Sequence, residues 1–596
     1  MQRYPPLLQT LLKNRGIKTA EEAELFLTPD YERDLNDPFL MKGMDEAVKR
    51  VLQALEKEEK IVIFSDYDAD GIPGAVILHD FFEKIGHKNF TNYIPHRHDE
   101  GFGLNDEAIQ EFKKDKVKLI ITVDCGIADL AEAEKISKHK IDLIITDHHL
   151  PVKIYSDKNS SGERKEILPK AVAILDPKQP GCKYPFKSLC GAGVAFKLVQ
   201  AILIQMNHQK NPLRLTRTNR SEEISDGSSL DFAVTNGWEK WLLDMVGIAT
   251  LSDMVPLVNE NRALAYYGLK VLRKSPRVGL LKLLSLLKIE QKNLTEDDIG
   301  FSISPRINAA SRMGDPEDAF KLFIAKTDEE ADICARHLDK INSERKGVVA
   351  SMVKEVRKIM RERLANDSRG KKVVVIGNPD WKPSLLGLVA NSLVDDHSCP
   401  VFLWGRDGGN ILKGSCRGSG DVSILDLMAE VEAGIFQEFG GHSMSGGFSL
   451  VQGKIHLLGD KLQIAYEKVS LKGTIVKEEV SADAKLNLDQ VNLDNYRLIE
   501  KLAPFGIGNS KPLFMFEKVV IESAKMFGKE SNHLELIFKN SHGKNIKAIG
   551  FFTKITDFGS ELKAGNTINL QANFEKSTFR GFTELRLRLV DLEIVL

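Results

Sequence analysis

The sequence lacks long hydrophobic runs, paired cysteines and a strong excess of charge of either sign. No apolar run approaches the about 20 residues of a membrane-spanning helix, and the first residues lack the apolar core of a signal peptide. Six cysteines are scattered without a C-x-x-C pair, which argues against a disulfide framework or zinc site and favours a reducing cytoplasm. The formal net charge of −1 neither indicates nor excludes a nucleic-acid partner.

The chain has the length and composition of a multidomain globular protein. Its 596 residues exceed what one hydrophobic core accommodates, so three or four domains are expected. A content of 42% hydrophobic and 28% charged residues is ordinary for such a protein. Composition alone therefore leaves the function open.

An apolar strand that runs into three aspartates is the most informative stretch. Ile61–Phe64 is a β-branched and aromatic run, typical of a parallel strand buried on both faces. Asp66, Asp68 and Asp70 follow at alternate positions, and an extended segment would project them to one side. Carboxylates so close repel one another unless cations neutralise them. Oxygen ligands favour a hard ion, so the pattern predicts a Mg²⁺ or Mn²⁺ site rather than a plain acidic loop.

The same pattern recurs downstream. Three further apolar segments end in acidic or histidine residues: Leu119–Val123 before Asp124, Asp142–Thr146 before Asp147, His148 and His149, and Met245–Ser252 before Asp253. Ligands bind beyond the carboxyl ends of the strands in an open parallel sheet. We therefore expect these side chains to meet at one edge and to form a single site.

Taken in order, these motifs resemble those of the DHH phosphoesterase superfamily. Three later segments extend the resemblance over nearly the whole chain: Pro305–Ala310, Gly440-Gly441-His442 and Pro504–Asn509. The ordered set is similar to that of the bacterial members that degrade single-stranded DNA. Each motif alone is only moderately specific, whereas their order is a strong signal.

The resemblance implies a site for two ions, Mn²⁺ or Mg²⁺, and gives each residue a role. Asp68 is implied to hold one ion, with Asp70, His148 and Asp253 on the other, Asp124 as a bridge, and Asp66 as a ligand or a partner of one. His149 is implied to face the scissile phosphate, and Asp147 either orients His148 or caps a helix. The expected catalytic residues are His149, Asp124 and Asp147. A histidine ligand somewhat favours Mn²⁺.

Contacts with phosphate and nucleic acid are expected from two further regions. The candidates are Arg306, Asn308 and Arg312 in the first, and Lys413, Ser415, Arg417, Gly440, Gly441 and His442 in the second. Arginine forks bind phosphate, and glycines let backbone amides approach it. The chain departs from the family pattern at Ser311, Ser384 and Ser445-Gly446, where the family has glycine, glycine and alanines.

The expected fold class is multidomain α/β. A doubly wound parallel-sheet DHH domain is followed by a long helix, a second and smaller α/β DHH-associated domain, and an OB-fold-like β-barrel. The predicted boundaries are 1–45 for an N-terminal extension, 46–314 for the DHH domain, 315–365 for the connecting helical region, 366–454 for the second domain and 455–596 for the barrel.

Several other features carry weaker predictions. The aromatic residues Phe505, Phe514, Phe516 and Phe579 are candidate base-stacking platforms, although most aromatics in a small barrel belong to the core. The glycine-rich Cys190–Ala195 favours close helix packing over a phosphate loop. Two polar insertions, at 156–164 and 209–229, are expected to be surface loops, and the basic residues of the second are weak phosphate candidates.

The preferred hypothesis is a metal-dependent exonuclease acting on single-stranded DNA. The family resemblance implies 5′-to-3′ attack that releases mononucleotides, in the cytoplasm, within DNA repair and recombination. It also implies a single-strand binding protein and a helicase as partners of a monomeric enzyme. The alternatives are a DHH-type phosphodiesterase of short oligonucleotides or cyclic dinucleotides, and a non-catalytic DNA-binding scaffold. The predicted barrel argues against the first alternative, and the complete set of acids argues against the second.

Overall fold

The computed structural model describes residues 1–155, 164–210, 235, 237–364, 372–406, 411–471, 481–528, 531–558, 562–577 and 584–595. Most of both polar insertions and the stacking candidate Phe579 lie outside these residues. Within the described ranges, no helix is long and apolar enough to cross a bilayer.

The N-terminal half begins with helices and a five-stranded sheet. Its elements are α1 (Pro6–Asn14), α2 (Ala20–Leu27), α3 (Tyr31–Asp34), α4 (Met44–Glu56), β1 (Ile61–Ser65), α5 (Gly71–Ile85), β2 (Phe90–Tyr93), α6 (Asp106–Lys114), β3 (Leu119–Val123), α7 (Leu130–Lys138), β4 (Asp142–Thr146), β5 (Val152–Tyr155), β6 (Arg164–Ile167) and β7 (Ala173–Leu175). The sheet has the order β2-β1-β3-β4-β7 with every pair parallel. β5 and β6 form a separate hairpin.

Helices cover both faces of this sheet, as predicted. Ile61 and Ile63 of β1 face the core that α4, α5 and the later helix α8 (Gly191–Lys210) complete, while Val62 and Phe64 face the core that α6 and α7 complete. Successive residues of a strand point to opposite faces, so a strand covered on both sides needs an unbroken apolar run. This requirement explains why β1, β3 and β4 read as continuous hydrophobic segments.

The rest of the first lobe is helical. It contains α8 (Gly191–Lys210), α9 (Leu243–Ser252), α10 (Asn259–Leu272), α11 (Val278–Leu287), α12 (Glu296–Asp298), α13 (Ser304–Met313), α14 (Glu317–Ile324) and α15 (Asp328–Leu364). The apolar segment before Asp253 is thus a buried helix and not a strand. The charged region from Asp315 forms two helices rather than one, and α15 alone spans the 37 residues that lead to the second lobe.

The second lobe is a smaller α/β unit. Its elements are β8 (Val374–Gly377), α16 (Pro383–His397), β9 (Val401–Arg406), β10 (Leu412–Arg417), α17 (Ile424–Glu430), β11 (Phe436–Gly441), β12 (Ser445–Leu450) and α18 (Leu458–Leu471). The sheet order is β11-β12-β10-β9-β8, with only β8 and β9 parallel. Leu458 and Leu462 of α18 pack into this lobe's core. The predicted boundary at residue 455 is therefore too early, and the lobe extends to Leu471.

The C-terminal region is built around a seven-stranded sheet. It consists of β13 (Ala484–Lys485), α19 (Leu493–Glu500), β14 (Phe514–Val520), β15 (Ser523–Phe527), β16 (His533–Lys539), β17 (Asn545–Phe551), β18 (Thr567–Ser577) and β19 (Glu584–Ile594), in the strand order β13-β14-β18-β19-β17-β16-β15.

The aromatic residues of this sheet are mainly core residues. Phe514 and Phe516 are fully buried, so their prediction as base-stacking platforms is wrong. Alternate residues of β14 face inward, and these two phenylalanines occupy inward positions. Phe505 is partly buried against the same core. The most exposed aromatic side chain of the described C-terminal sheet is Phe552, with 80% of its surface accessible, which the sequence did not single out.

The N-terminal helices belong to the C-terminal core. Leu8, Leu11 and Leu12 of α1 are fully buried in one cluster with Phe514 of β14 and Leu570 of β18. The N-terminal extension predicted at 1–45 is thus packed against the rest of the protein, and part of it completes the hydrophobic core of residues near the other end of the chain. The two ends of the chain are joined by burial of apolar surface.

This shared core predicts that a substitution near the N-terminus weakens the C-terminal sheet. Leu11→Ala should destabilise it by about 2–5 kcal/mol, since a buried leucine is replaced by a cavity. Hydrogen exchange of the amides of β14 and β18 measures the loss. Leu25→Ala is the control, because Leu25 is 49% exposed. Unchanged exchange in both strands of the Leu11 variant would show that the ends fold independently.

Candidate active site

Three acids lie side by side at the carboxyl edge of the parallel sheet. Asp66, Asp124 and Asp147 follow β1, β3 and β4 directly, and the strands are neighbours in register. Their backbone amides continue the ladder, with Asp66 N–H donating to the Val123 carbonyl and Asp124 N–H to that of Thr146, at 3.0 and 2.9 Å. All three side chains are buried. The predicted meeting of strand ends is thus observed.

The chain turns between Asp66 and Asp70 and splits the first acidic motif. Asp68 Oδ1 accepts the backbone N–H of Asp70 at 2.8 Å, and α5 begins at the next residue. The expectation that all three aspartates share one side is wrong for Asp70, since the segment is not extended there. Asp70 instead accepts the N–H groups of Gly191 and Ala192 at 2.6 and 2.8 Å.

The start of α8 belongs to the site, although its glycine-rich sequence predicted only close helix packing. Its first amides hold the Asp70 carboxylate, as helix N-termini do for anions. A Cβ atom on Gly191 would lie 2.5 Å from Cβ and 2.8 Å from Cα of Asp124, so only glycine allows this approach. The glycine-rich segment therefore packs closely, as predicted, but it packs against the site itself.

The acidic and histidine side chains form three overlapping groups. In each group the ligand atoms lie within 4.8 Å of one another, and the groups are Asp66 with Asp68 and Asp124, Asp70 with His148 and Asp253, and Asp124 with His148 and His149. Asp124 takes part in two of them and has a left-handed backbone with φ of +61°. Two of these groups contain the residues that the family resemblance assigns to the two ions, the third adds His149, and the assignment of ligands stays a prediction.

Burial and mutual repulsion disfavour the ionised forms of the clustered acids, and the nearby charges of Arg97, His149 and Lys178 offset this only in part. Burial, followed by the neighbouring aspartates, raises the pKa of Asp70 to about 7 and that of Asp253 to about 9. The pKa values of Asp66 and Asp124 are also raised for these reasons. Oδ1 of Asp66 and Oδ1 of Asp124 have no hydrogen-bond donor among the described residues. Such atoms accept a cation, because its charge restores the ionised state.

His148 has the properties of a metal ligand. Burial, then the charge of His149, lowers its pKa to about 3, so the imidazole is neutral. Its Nε2 lies 3.2 Å from Asp124 Oδ1, 3.8 Å from Asp70 Oδ2 and 3.7 Å from Asp253 Oδ2. A neutral nitrogen surrounded by three carboxylates, with oxygen donors on every side, fits a divalent ion such as Mn²⁺ or Mg²⁺.

Asp147 organises the second histidine. Its Oδ1 contacts Nδ1 of His149 at 2.8 Å and accepts the backbone N–H groups of His148 and His149. Burial opposes protonation of His149, but the hydrogen bond and charge of Asp147 outweigh it and raise the pKa of His149 to about 9. Asp147 thus contacts the ring of His149 rather than that of His148, and no helix begins at this point. His149 is half-exposed and can meet a substrate.

Arginines from both lobes border the acidic groups. Burial, then Arg97 and Arg345, lowers the pKa of Arg312 to about 9, and Arg417 of the second lobe contributes to the same shift. Arg312 Nη1 donates to the Ser384 carbonyl at 2.5 Å, and Ser384 Oγ donates to the Arg312 carbonyl. Ser384, which stands where the family has glycine, therefore joins the lobes. Arg97, which stacks over Tyr67, was not among the predicted site residues, because it belongs to no recognisable sequence motif.

The other candidates in the first lobe have local partners. Asn308 Oδ1 accepts the N–H of Ala69 at 2.9 Å, so it supports the turn between Asp68 and Asp70. Arg306 is paired with Asp339 of α15 at 2.7 Å and donates to the Ser302 carbonyl. A phosphate role for Arg306 stays a prediction that requires it to leave Asp339.

The second-lobe candidates lie on two strands that share a neighbour. Arg417 and Ser415 of β10 are hydrogen-bonded to each other, and Lys413 on the same strand is exposed. Gly440 and Gly441 end β11, which pairs with β12 as β10 does. Their nucleic-acid contacts, with those of the exposed His442, stay predictions.

Comparisons with known proteins support this arrangement. The model of the DHH family, N-terminal domain, matches residues 60–219, and that of the RecJ OB domain matches residues 482–591. RecJ of Bacillus subtilis, a single-stranded-DNA-specific exonuclease, is 34% identical over 92% of this chain and 63% of its own. RecJ of Haemophilus influenzae is 28% identical over 98% of this chain and 96% of its own. The chain thus spans less than two thirds of the Bacillus relative but nearly all of the Haemophilus one.

Solved structures agree with the fold. The crystal structure of RecJ from Thermus thermophilus in complex with Mn²⁺ has a TM-score of 0.75 and 24% identity, covering 99% of this chain and 76% of that one. A structure of exonuclease RecJ bound to manganese has a TM-score of 0.56 and 26% identity, covering 72% of this chain and 97% of that one.

The parallel sheet, its acidic edge and the paired histidines define a protein of the DHH class with a divalent-metal centre. The expected fold class, including the OB-fold-like C-terminal domain, is confirmed. The chain thus carries a DHH-type N-terminal domain together with a RecJ-type OB domain, and it is similar to RecJ proteins over most of its length.

The close approach of α8 yields a test of the metal centre. Gly191→Ala should lower Mn²⁺ affinity about tenfold or more, because the methyl group displaces both Asp124 and the amides that hold Asp70. Isothermal titration calorimetry on the full chain measures it. Gly193→Ala is the matched control, since its nearest contact would be an ordinary 3.5 Å. Equal Mn²⁺ binding by both variants would contradict the assigned packing.

Proposed function

We propose that this protein is a metal-dependent exonuclease that hydrolyses single-stranded DNA. The observation that carries the proposal is the cluster of buried carboxylates and a neutral histidine at the sheet edge, bordered by arginines from two lobes. The RecJ relatives are named for this activity. We further propose attack from the 5′ end with release of mononucleotides, during DNA repair and recombination.

The residues divide the work between binding the ions and handling the substrate. Two bound divalent ions supply Lewis acidity and neutralise the charge that develops when water attacks the phosphodiester. Asp68, with Asp66, would hold one ion, and Asp70, His148 and Asp253 would hold the other. Asp124, which belongs to two of the three groups, would contribute to both. The strand ends, the α8 amides and the Asn308 contact hold these ligands before substrate arrives, which limits reorganisation during the reaction.

His149 is the group placed to act on the scissile phosphate. Its Nδ1 is held by Asp147, so Nε2 is left to donate towards the substrate. With a pKa of about 9 the ring is protonated near neutral pH, and its positive charge stabilises the negative charge of the phosphate in the transition state. As the new P–O bond forms and the bond to the leaving oxygen breaks, His149 donates a hydrogen bond or the proton that this oxygen takes up.

The arginines position the strand. Arg97 and Arg417 lie close enough to Arg312 for their charges to lower its pKa, and Arg312 contacts Ser384 of the second lobe. Unpaired guanidinium groups repel each other, and an anionic backbone removes the repulsion. We propose that Ser415, Lys413 and Gly440–His442 extend this track. The substrate would then lie between the lobes with its phosphates on the arginines.

The setting of the enzyme belongs to the same proposal. We propose a monomeric cytoplasmic protein that acts with a single-strand binding protein and a helicase, since a single-strand exonuclease needs unwound DNA. An alternative is cleavage of short oligonucleotides or cyclic dinucleotides. The C-terminal OB-like domain, suited to longer single strands, favours the preferred function.

A labelled oligonucleotide distinguishes these functions. With Mn²⁺, a 5′ label should be released as a mononucleotide, a 3′ label should give a shrinking ladder, and duplex should survive. EDTA removes the metal ions, and Asp124→Asn removes one of the carboxylates that would bind them, so either change should abolish cleavage. The variant should still bind the strand. Hydrolysis of dinucleotides but not of long strands would replace the proposal with the alternative. Release of the 3′ label first would reverse the polarity.

The second-lobe track predicts a change in salt dependence. Lys413→Ala should lower the slope of log affinity against log salt by about 0.7, the value for one phosphate contact on a single strand. Fluorescence anisotropy on a DNA oligonucleotide without divalent metal measures the slope. Lys461→Ala is the control, since this lysine of the same lobe is paired with Glu432. An unchanged slope would remove Lys413 from the track.

A further inference from the structure

A loop of the C-terminal region contacts the turn that follows Asp253. The turn consists of Met254–Val258, between the end of α9 and the start of α10. Leu257 N–H donates to the Ile507 carbonyl at 2.7 Å, and Ile507 lies in the loop Pro504–Asn509. The two segments come from distant parts of the chain and meet four residues after Asp253.

The turn has a conformation that needs external support. Met254, the residue after Asp253, has a left-handed backbone with φ of +59° and a side chain with 68% exposure. Few non-glycine residues adopt this region unless the surroundings impose it. Asp253 is the C-terminal cap of α9 and has no strand neighbour, unlike Asp66 and Asp124. Its N–H donates to the Ala249 carbonyl at 2.9 Å, so the helix holds it on one side and the turn continues from it on the other.

The loop is shaped to fit against this turn. A Cβ atom on Gly506 would lie 2.8 Å from Cδ1 of Leu257. Gly508 has φ of +76°, and a Cβ atom there would lie 3.2 Å from Val258 and 3.3 Å from Pro256. Both glycines thus pack so closely against the turn that a side chain at either position would push the loop and the turn apart.

Asn509 fixes the loop from within. Its Nδ2 donates to the carbonyls of Leu502 and Pro504, both at 2.8 Å, and its backbone pairs with Gly506. Its Oδ1 accepts Nε of Arg15 at 2.8 Å, so the N-terminal α1 region supports it as well. Asn509 is only 2% exposed. An asparagine that satisfies three partners while buried has a defined geometry to maintain.

A second contact joins α10, the helix after the turn, to the residues immediately before the loop. Arg262 donates to the Leu502 and Ala503 carbonyls at 2.9 and 3.1 Å, and its guanidinium lies 3.8 Å from the Phe26 ring centroid. The turn is therefore held at Leu257 directly and through the helix that follows it.

We propose that the loop Pro504–Asn509, fixed by Asn509, is a positioning element for the metal ligand Asp253. The C-terminal domain then contributes to metal binding by holding a ligand of the first lobe in place, in addition to any contact it makes with DNA. The inference rests on the proposed role of Asp253 as a metal ligand. It predicts that loosening the loop weakens the ion served by Asp70, His148 and Asp253 and leaves strand binding unchanged.

Two variants of the full chain test the proposal by different means. Asn509→Ala removes the internal hydrogen bonds of the loop, while Gly508→Ala adds a methyl group against the turn and deletes none. Each should weaken one of two Mn²⁺ sites about tenfold in calorimetry, and change the Mn²⁺ electron paramagnetic resonance spectrum. The kcat should fall more than KM rises, and metal-free strand binding should stay at the wild-type level.

Two controls separate positioning from general loosening of the domain. Asn14→Ala removes a 2.8 Å contact of an N-terminal asparagine with the Asp483 carbonyl, in the same interface but outside the loop. Gly543→Ala introduces a side chain at a similar φ of +75° with nothing within 4 Å. Both should bind Mn²⁺ as the wild type does. An equal loss in these controls would overturn the proposal, because it would then reflect lower stability alone.

A double-variant cycle gives the decisive result. Asp253→Asn should itself weaken Mn²⁺ binding, and adding Asn509→Ala should weaken it no further if the loop acts through Asp253. Additive losses would overturn the inference. Wild-type Mn²⁺ binding by a folded Gly508→Ala protein would also overturn it. The Gly508→Ala variant alone provides the test if Asn509→Ala does not fold. Coupled losses of Mn²⁺ binding in a protein that cleaves no single-stranded DNA would refute the proposed function and leave this inference standing.

Discussion

Crowding of carboxylates at one sheet edge is the constraint on which the rest of the structure depends. Three neighbouring parallel strands deliver Asp66, Asp124 and Asp147 to the same place, and burial makes their ionised forms costly. Only cations make such a group favourable when all its members are charged. Asp147 has a partner in protonated His149, whereas Asp66 and Asp124 have raised pKa values, and the chemistry of the site follows from how their negative charge is balanced.

The surrounding elements limit how the acids can move in response. The first amides of α8 hold Asp70, Asn308 supports the turn beside it, and Asp147 fixes His149 through its ring nitrogen. The two histidines consequently differ, because burial keeps one neutral while a carboxylate keeps the other protonated. Adjacent residues of the same type thus take opposite roles.

The two ends of the chain pack together, and both contact the first lobe. The α1 helix completes the core of the C-terminal sheet, and Arg15 supports the loop that contacts the turn after Asp253. Contacts across such a distance in sequence connect the C-terminal sheet to the turn next to Asp253 in the first lobe. Ser384 and Arg312 make a comparable connection between the first and second lobes.

The sequence by itself determined the local elements of the site, because buried parallel strands require unbroken apolar runs and the acids that follow them stand out. It also determined, through the order of its motifs, the DHH class and the OB-like C-terminal domain. Only the tertiary structure decided which partners these residues have. The burial of Phe514, the helix before Asp253 and the approach of Gly191 to Asp124 depend on contacts between distant segments, and periodicity carries no information about such contacts.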